Sequence, residues 1–238
     1  MTVALASRLC YSPVGVAELE EKWSREEALG LIDKILAVGH FSVLEHAVFT
    51  FAIEGISRAT SHQLVRHRIA SYSQQSQRYV KARKEFDHVL PPSVDERPEL
   101  RKRYRRHMAV VGRLYRDFVD AGIPAEDARF LLPNAAATKI IVTMNARELH
   151  HFFTLRCCLR AQWEIRGMAE EMLGLAKGSA AALFQGAGPG CIRGKCPEKS
   201  MTCGLVKEVR QAYKEWSGQD PRPAITGHPV RGGEKKKS

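Results

Sequence analysis

The run RPELRKRYRRHMAVVGRLYRDFV, residues 97–119, constrains the fold more than any other segment of the chain. Leu100, Tyr104, Met108, Val111, Tyr115 and Phe118 recur at the spacing that lines up apolar side chains on one face of an α-helix. Its arginines and Lys102 cover the other faces. A long basic helix is therefore expected, with one stripe to bury. A second helix is expected over SREEALGLIDKILAVG. Ser24 and Glu27 form a capping box, Leu31, Ile32, Ile35 and Leu36 share a face, and Gly39 is placed to end it. AVFTFAIEGIS reads as a strand, and Ser57 can cap a short helix in RATSHQLVRH. A further strand is expected near SQRYVK, a linker at Pro91 and Pro92, a short helix ending at LLPN, and a strand at TKIIVTM. ARELHHFFTLRCCL and AQWEIRGMAEEMLGLAKG read as two more helices, and the N-terminal MTVALASRLCYSP as a first strand. The strands are too scattered for a repeating βαβ layout, so the expected class is α+β. No internal repeat is present.

The chain has 238 residues, which points to one fairly large domain. At 44% hydrophobic and 26% charged residues, it has the composition of an ordinary globular protein. Its apolar runs are too short to span a membrane, so no membrane association is expected. No basic region precedes the apolar N-terminus, which argues against a signal peptide. The six cysteines are then expected as thiols in the reducing cytoplasm. The net charge of +11 favours polyanions, nucleotides or acidic surfaces as partners. Aromatic interleaving along the basic helix is weak, so a solvated or oligomer-facing surface is preferred there over a nucleic-acid site.

The segment RHRIASYSQQSQRY, residues 66–79, holds arginines, a histidine and serines but no carboxylate. On an extended chain Arg66 and Arg68 share one side and His67 faces the other; Ser76 and Arg78 likewise share a side. A guanidinium with a nearby hydroxyl makes a phosphate cradle, and two such groups could serve two phosphate-bearing molecules. A second cluster is MNARELHHFFTLR. Asn145 can cap the helix there, and Arg147 falls in the first turn, where a cation is unfavourable unless an anion is present. His151 and Arg156 follow on roughly one side. GHFSVLEH brings His40, Ser42, Glu45 and His46 together, but its spacing fits no standard zinc site. GAGPGCIRG lacks the dinucleotide-binding glycine spacing. In the tail, Cys191, Cys196 and Cys203 form C-x4-C-x6-C; a metal would need a fourth ligand such as His228 or Cys10, and free thiols are expected instead. A basic nucleic-acid-binding module and a small Cys/His metal protein are the rival classes. Neither explains why Arg66, Arg68, Ser76, Asn145, Arg147 and Arg156 occur in one ordered pattern.

RHRIASYSQQS fits R-H-R-x7-S, and with GHFSVLEHAVFTF, ARFLLP, NARELHHFFTLR and AQWEI the chain resembles the flavin-dependent thymidylate synthases. The resemblance covers about residues 35–170 in consistent order. It implies methylation of dUMP to dTMP, with 5,10-methylenetetrahydrofolate as carbon donor and NADPH as reductant through bound FAD. It also implies a compact α+β domain with a central, mostly antiparallel sheet and long helices, assembled as a homotetramer with shared active sites. Nucleic acid polymer is not an expected partner. The catalytic domain is expected over 1–185. Residues 186–238 are read as a Cys/Gly/Lys-rich extension, partly disordered and dispensable for catalysis.

By the same resemblance, Arg66, His67 and Arg68 bind FAD, Arg66 also lying near the nucleotide. Ser42, Asn145, Arg147 and His151 are further flavin contacts, and His40 lies beside flavin and substrate. Gln63, Ser76, Arg78 and Arg129 form the dUMP cradle, and Arg156 activates the pyrimidine. Gln74 stands where some members carry a Glu that contacts substrate or flavin, and His151 where others have Asn. The residue types suit the chemistry. A guanidinium on the uracil edge stabilises developing ring charge and strengthens carbon 5 as a nucleophile. No protein nucleophile is then needed, and Cys157 and Cys158 read as small core residues.

Overall fold

The computed structural model describes residues 2–21, 24–81 and 86–216, with the single positions 218, 223 and 225. The disordered end expected over 219–238 falls outside these residues apart from two positions. The protein is α+β with a small antiparallel sheet. Its sheet has three strands in the order β1 (Val48–Ser57), β3 (Ala137–Asn145), β2 (Ser71–Gln74). The central strand alternates cleanly, burying Thr138, Ile140, Val142 and Met144. The chain forms two compact units, one of Met1–Phe49 with Thr143–Ser238 and one of Thr50–Val142. The divisions fall inside β1 and β3, within continuous strands and not in linkers.

In the first unit the N-terminus is a helix, α1 (Thr2–Leu9), not the expected strand. Its buried Val3, Ala4 and Ser7 lie on one helical face. Helix α2 (Val16–Glu21) follows, then α3 (Arg25–Val38). The α3 capping box is formed as expected, and Gly39 closes the helix at φ 78°. A 3-10 turn, Phe41–His46, leads into β1. After β3 come α8 (Ala146–Arg156) and α9 (Trp163–Ala180), whose Leu149, Phe152, Phe153, Ile165 and Leu173 form the core of this unit with Phe184. Beyond Phe184 the chain folds through short 3-10 turns into α10 (Val206–Glu215).

The second unit holds α4 (Arg58–Leu64), capped by Ser57 Oγ accepting from the Thr60 N–H. The expected linker at Pro91 and Pro92 carries a short helix, α5 (Pro92–Asp95), with proline at its start. The long basic helix is α6 (Pro98–Asp120); it buries Met108, Gly112 and Tyr115, while Leu100 and Phe118 at its ends stay exposed. Helix α7 (Ala125–Ala128) and a 3-10 turn lead to β3. No described helix is long and apolar enough to cross a membrane.

Candidate active site

In the second unit the site residues surround the end of α4 and the strand that follows. The chain turns at Leu64, whose carbonyl accepts from the His67 N–H at 3.1 Å. His67 is buried while Arg66 and Arg68 are exposed. The opposed facing expected of an extended chain is thus achieved by a turn. Tyr72 of β2 holds that turn, its hydroxyl lying 2.9 Å from Leu64 O and 2.8 Å from His67 O. Gln63 is half-buried on α4, and Gln74 Nε2 donates to Thr138 Oγ1 at 3.2 Å.

The strand lies a few residues earlier than expected. SQRYVK forms a turn instead, with Ser76 Oγ accepting from the Arg78 N–H and Ser76 O from the Val80 N–H. Ser76 and Arg78 are therefore neighbours across a turn and not an extended pair. Arg78 presents Nε and Nη2 to Glu126 Oε2 at 2.9 and 2.8 Å, and Arg129 Nε donates to Glu126 O at 3.0 Å. Two residues of the expected phosphate cradle thus converge on one residue that sequence reasoning passed over. Arg58 was also missed. Its Nη2 donates to Gln75 O at 2.7 Å, while its Nε is buried without a hydrogen-bond partner. Burial, and then the charge of Arg129, lowers the pKa of Arg58. Of the three guanidiniums only Arg78 meets a described carboxylate, Glu126, while Arg129 and Arg58 donate to main-chain carbonyls, a surplus of positive charge that suits an anion.

In the first unit Asn145 caps α8, its Oδ1 accepting from the Glu148 N–H at 2.9 Å. Arg147 sits in the first turn, and the anion that position calls for is Glu45, whose Oε1 lies 2.5 Å from Arg147 Nη1. Glu45 belongs to the 3-10 turn that also carries Ser42, with His40 at its start; both are exposed. His151 is exposed one turn into α8, and Arg156 is half-buried at its last position. Glu148 is buried; desolvation raises its pKa and nearby His151 opposes that shift. The sequence therefore places His40, Ser42, Asn145, Arg147, His151 and Arg156 in the first unit. Gln63, Arg66, His67, Arg68, Gln74, Ser76, Arg78 and Arg129 belong to the second.

The cysteines are free thiols. Burial pushes Cys157 well above the usual thiol range, and Cys158 upward as well, which suits core residues and not nucleophiles. Cys191 is pushed up to about 11 by burial and by the neighbouring Cys196, Cys158 and Cys203. Cys158 thus joins the three tail cysteines, a companion the sequence spacing did not suggest. Among the described residues, no three cysteine sulfurs lie within 4.8 Å of one another.

Comparison with known proteins follows this geometry. Residues 1–180 match the family described as thymidylate synthase complementing protein. The chain is 62% identical over 216 residues to a flavin-dependent thymidylate synthase from Geobacter sulfurreducens, covering 90% of this chain and 93% of the relative. It is 46% identical over 227 residues to one from Clostridium tetani, covering 89% and 91%. Among solved structures it is similar to a UMP/dUMP methylase from Streptomyces cacaoi bound with 5-Br dUMP. The TM-score is 0.66 at 25% identity, over 77% of this chain and 87% of that one.

Proposed function

The chain belongs to the flavin-dependent thymidylate synthase family, and from that premise we propose that it converts dUMP to dTMP using 5,10-methylenetetrahydrofolate, NADPH and bound FAD. The observation that carries the substrate half of this reading is the convergence of Arg78 and Arg129 on Glu126, with the charge of Arg129 felt by Arg58. Such a group suits a nucleotide phosphate. Arg78 turns both Nε and Nη2 to one carboxylate oxygen, Glu126 Oε2, a place that a phosphate oxygen could take. Ser76, Gln63 and Gln74 complete the nucleotide contacts in this reading.

The exposed Arg66 and Arg68, flanking buried His67, suit the flavin pyrophosphate. Ser42, Asn145, Arg147 and His151 serve as further flavin contacts. FAD supplies the hydride and one-carbon chemistry that no side chain provides. Arg156 orients the uracil and stabilises negative charge on its ring, so that carbon 5 reacts as a nucleophile. The raised thiol pKa values of Cys157 and Cys158 agree with a reaction that uses no protein nucleophile. The homotetramer and the cytoplasmic location belong to the same proposal.

The test is the visible spectrum of the purified protein before and after anaerobic NADPH, with and without dUMP. A yellow protein bleached by NADPH in a way that dUMP alters is expected. A colourless protein that takes up no added FAD overturns the reading.

A further inference from the structure

We infer that Arg193, in the segment beyond Phe184, is a positioning residue for the flavin-binding residues of the first unit: it clamps His150 of α8 and Phe41 of the 3-10 turn into one stack. The inference rests on the flavin roles proposed for Ser42, Arg147 and His151.

His150 is 4% exposed and lies between two aromatic rings. Phe41 stacks on it at 5.5 Å with an interplanar angle of 7°, and Phe184 at 5.6 Å and 24°. Both ring nitrogens are engaged. Nε2 lies 2.8 Å from Leu183 O, which only accepts, so Nε2 carries the proton. Nδ1 is then an acceptor, and Arg193 Nη2 donates to it at 2.8 Å. The same guanidinium donates through Nε to Gly186 O at 2.7 Å and through Nη2 to Gln185 O at 3.3 Å. Its carbon lies over the Phe41 ring at 5.3 Å. The segment carrying it is pinned by Arg210, which donates to Cys191 O at 2.8 Å and Gly194 O at 2.6 Å.

The consequence reaches both neighbouring elements. His150 precedes His151 and lies three residues after Arg147; Phe41 lies between His40 and Ser42. The Arg193 clamp therefore ties together the two elements that carry the flavin contacts proposed for the first unit. Arg147 and Glu45 tie the same elements by an exposed ion pair, which is worth little alone in water. The clamp, unlike that pair, closes on a buried ring, His150, and this is what can hold their spacing. Lysine cannot replace it: a single ammonium lacks the planar fork that serves a ring nitrogen and main-chain carbonyls while lying over an aromatic face.

Arg193→Met and Arg193→Lys would be compared with the unaltered enzyme, Arg147→Ala and Ser42→Ala. The readouts are FAD affinity by fluorescence titration, the shape of the bound-flavin absorption bands, and the melting temperature without FAD. Both Arg193 variants are expected to weaken FAD binding by about tenfold or more and to shift the flavin bands, as a loosened supporting shell does. If Arg193→Met does not fold, Arg193→Lys is read by the same criteria. Unaltered affinity and spectrum in the Arg193 variants, with weakened binding in Arg147→Ala, overturn the positioning role alone. Unaltered binding in all the variants overturns the flavin reading and this inference with it.

Discussion

His150 and His151 are adjacent in sequence and opposite in chemistry. His151 is exposed, while burial holds His150 uncharged, its pKa lowered to about 4; the Leu183 hydrogen bond opposes this shift and Arg193 adds to it. A histidine depressed in the folded state stabilises the fold above its unfolded pKa and loses that contribution as pH falls through the folded one. The window here runs from about 6.5 down to about 4. The expected loss across it is on the order of 3 kcal/mol. Denaturant unfolding between pH 7 and pH 4.5 should show this decline, and His150→Asn should flatten it. The difference is not legible in two adjacent histidines, because burial depends on rings from distant segments. The arginines were legible since their charge needs no context. For Arg78→Ala we expect weaker dUMP binding, by roughly 1.5–3 kcal/mol for a lost charge-assisted contact, with FAD retained. Isothermal titration with dUMP checks the loss, and an undiminished affinity would remove Arg78 from the cradle.

Elements whose signals are local were legible, and those decided by tertiary contacts were not. The caps at Ser24, Ser57 and Asn145 could be read because a cap needs only residues within one turn. The N-terminal segment was misread because a short apolar run has no decisive period. What makes it a helix is the face of Val3, Ala4 and Ser7, which its neighbours bury. The strand expected at SQRYVK sits instead at Ser71–Gln74, where the Tyr72 hydroxyl is held by two carbonyls of the preceding turn. The glycines after Phe184 read as loop composition, yet one of them is fixed by packing. Gly188 has φ 149°, and a Cβ there would lie 2.7 Å from Tyr213 Cδ1 and 2.9 Å from Ile192 Cδ1. Gly188→Ala should therefore lower stability by about 1–3 kcal/mol, measured by chemical denaturation. A neutral result would mean that α10 shifts freely on this unit.

At the scale of the whole chain, the open question is where the functional protein ends. Gly, Pro, Cys and Lys after Phe184 suggest a loose and dispensable tail. The first unit shows residues 186–216 folded against α8 and α9. The Tyr213 hydroxyl lies 3.3 Å from Glu170 Oε1, and Lys177 Nζ donates to Trp216 O at 3.2 Å while lying over the Trp216 ring. Cys191, Cys203, Val209 and Trp216 are buried there. Most of the polar ties end on main-chain carbonyls, which leave no signature in the sequence, and this is why the segment read as a tail. Truncation after Phe184 removes Arg193 from His150 and uncovers the apolar faces of α8 and α9. Truncation after Trp216 spares all of these contacts. We therefore expect residues 1–184 alone to be insoluble or unable to take up FAD, and residues 1–216 to be soluble and yellow. Expression of both, with flavin content measured per chain, decides it. If residues 1–184 bind FAD as the full chain does, the extension is dispensable and the core of the first unit closes without it.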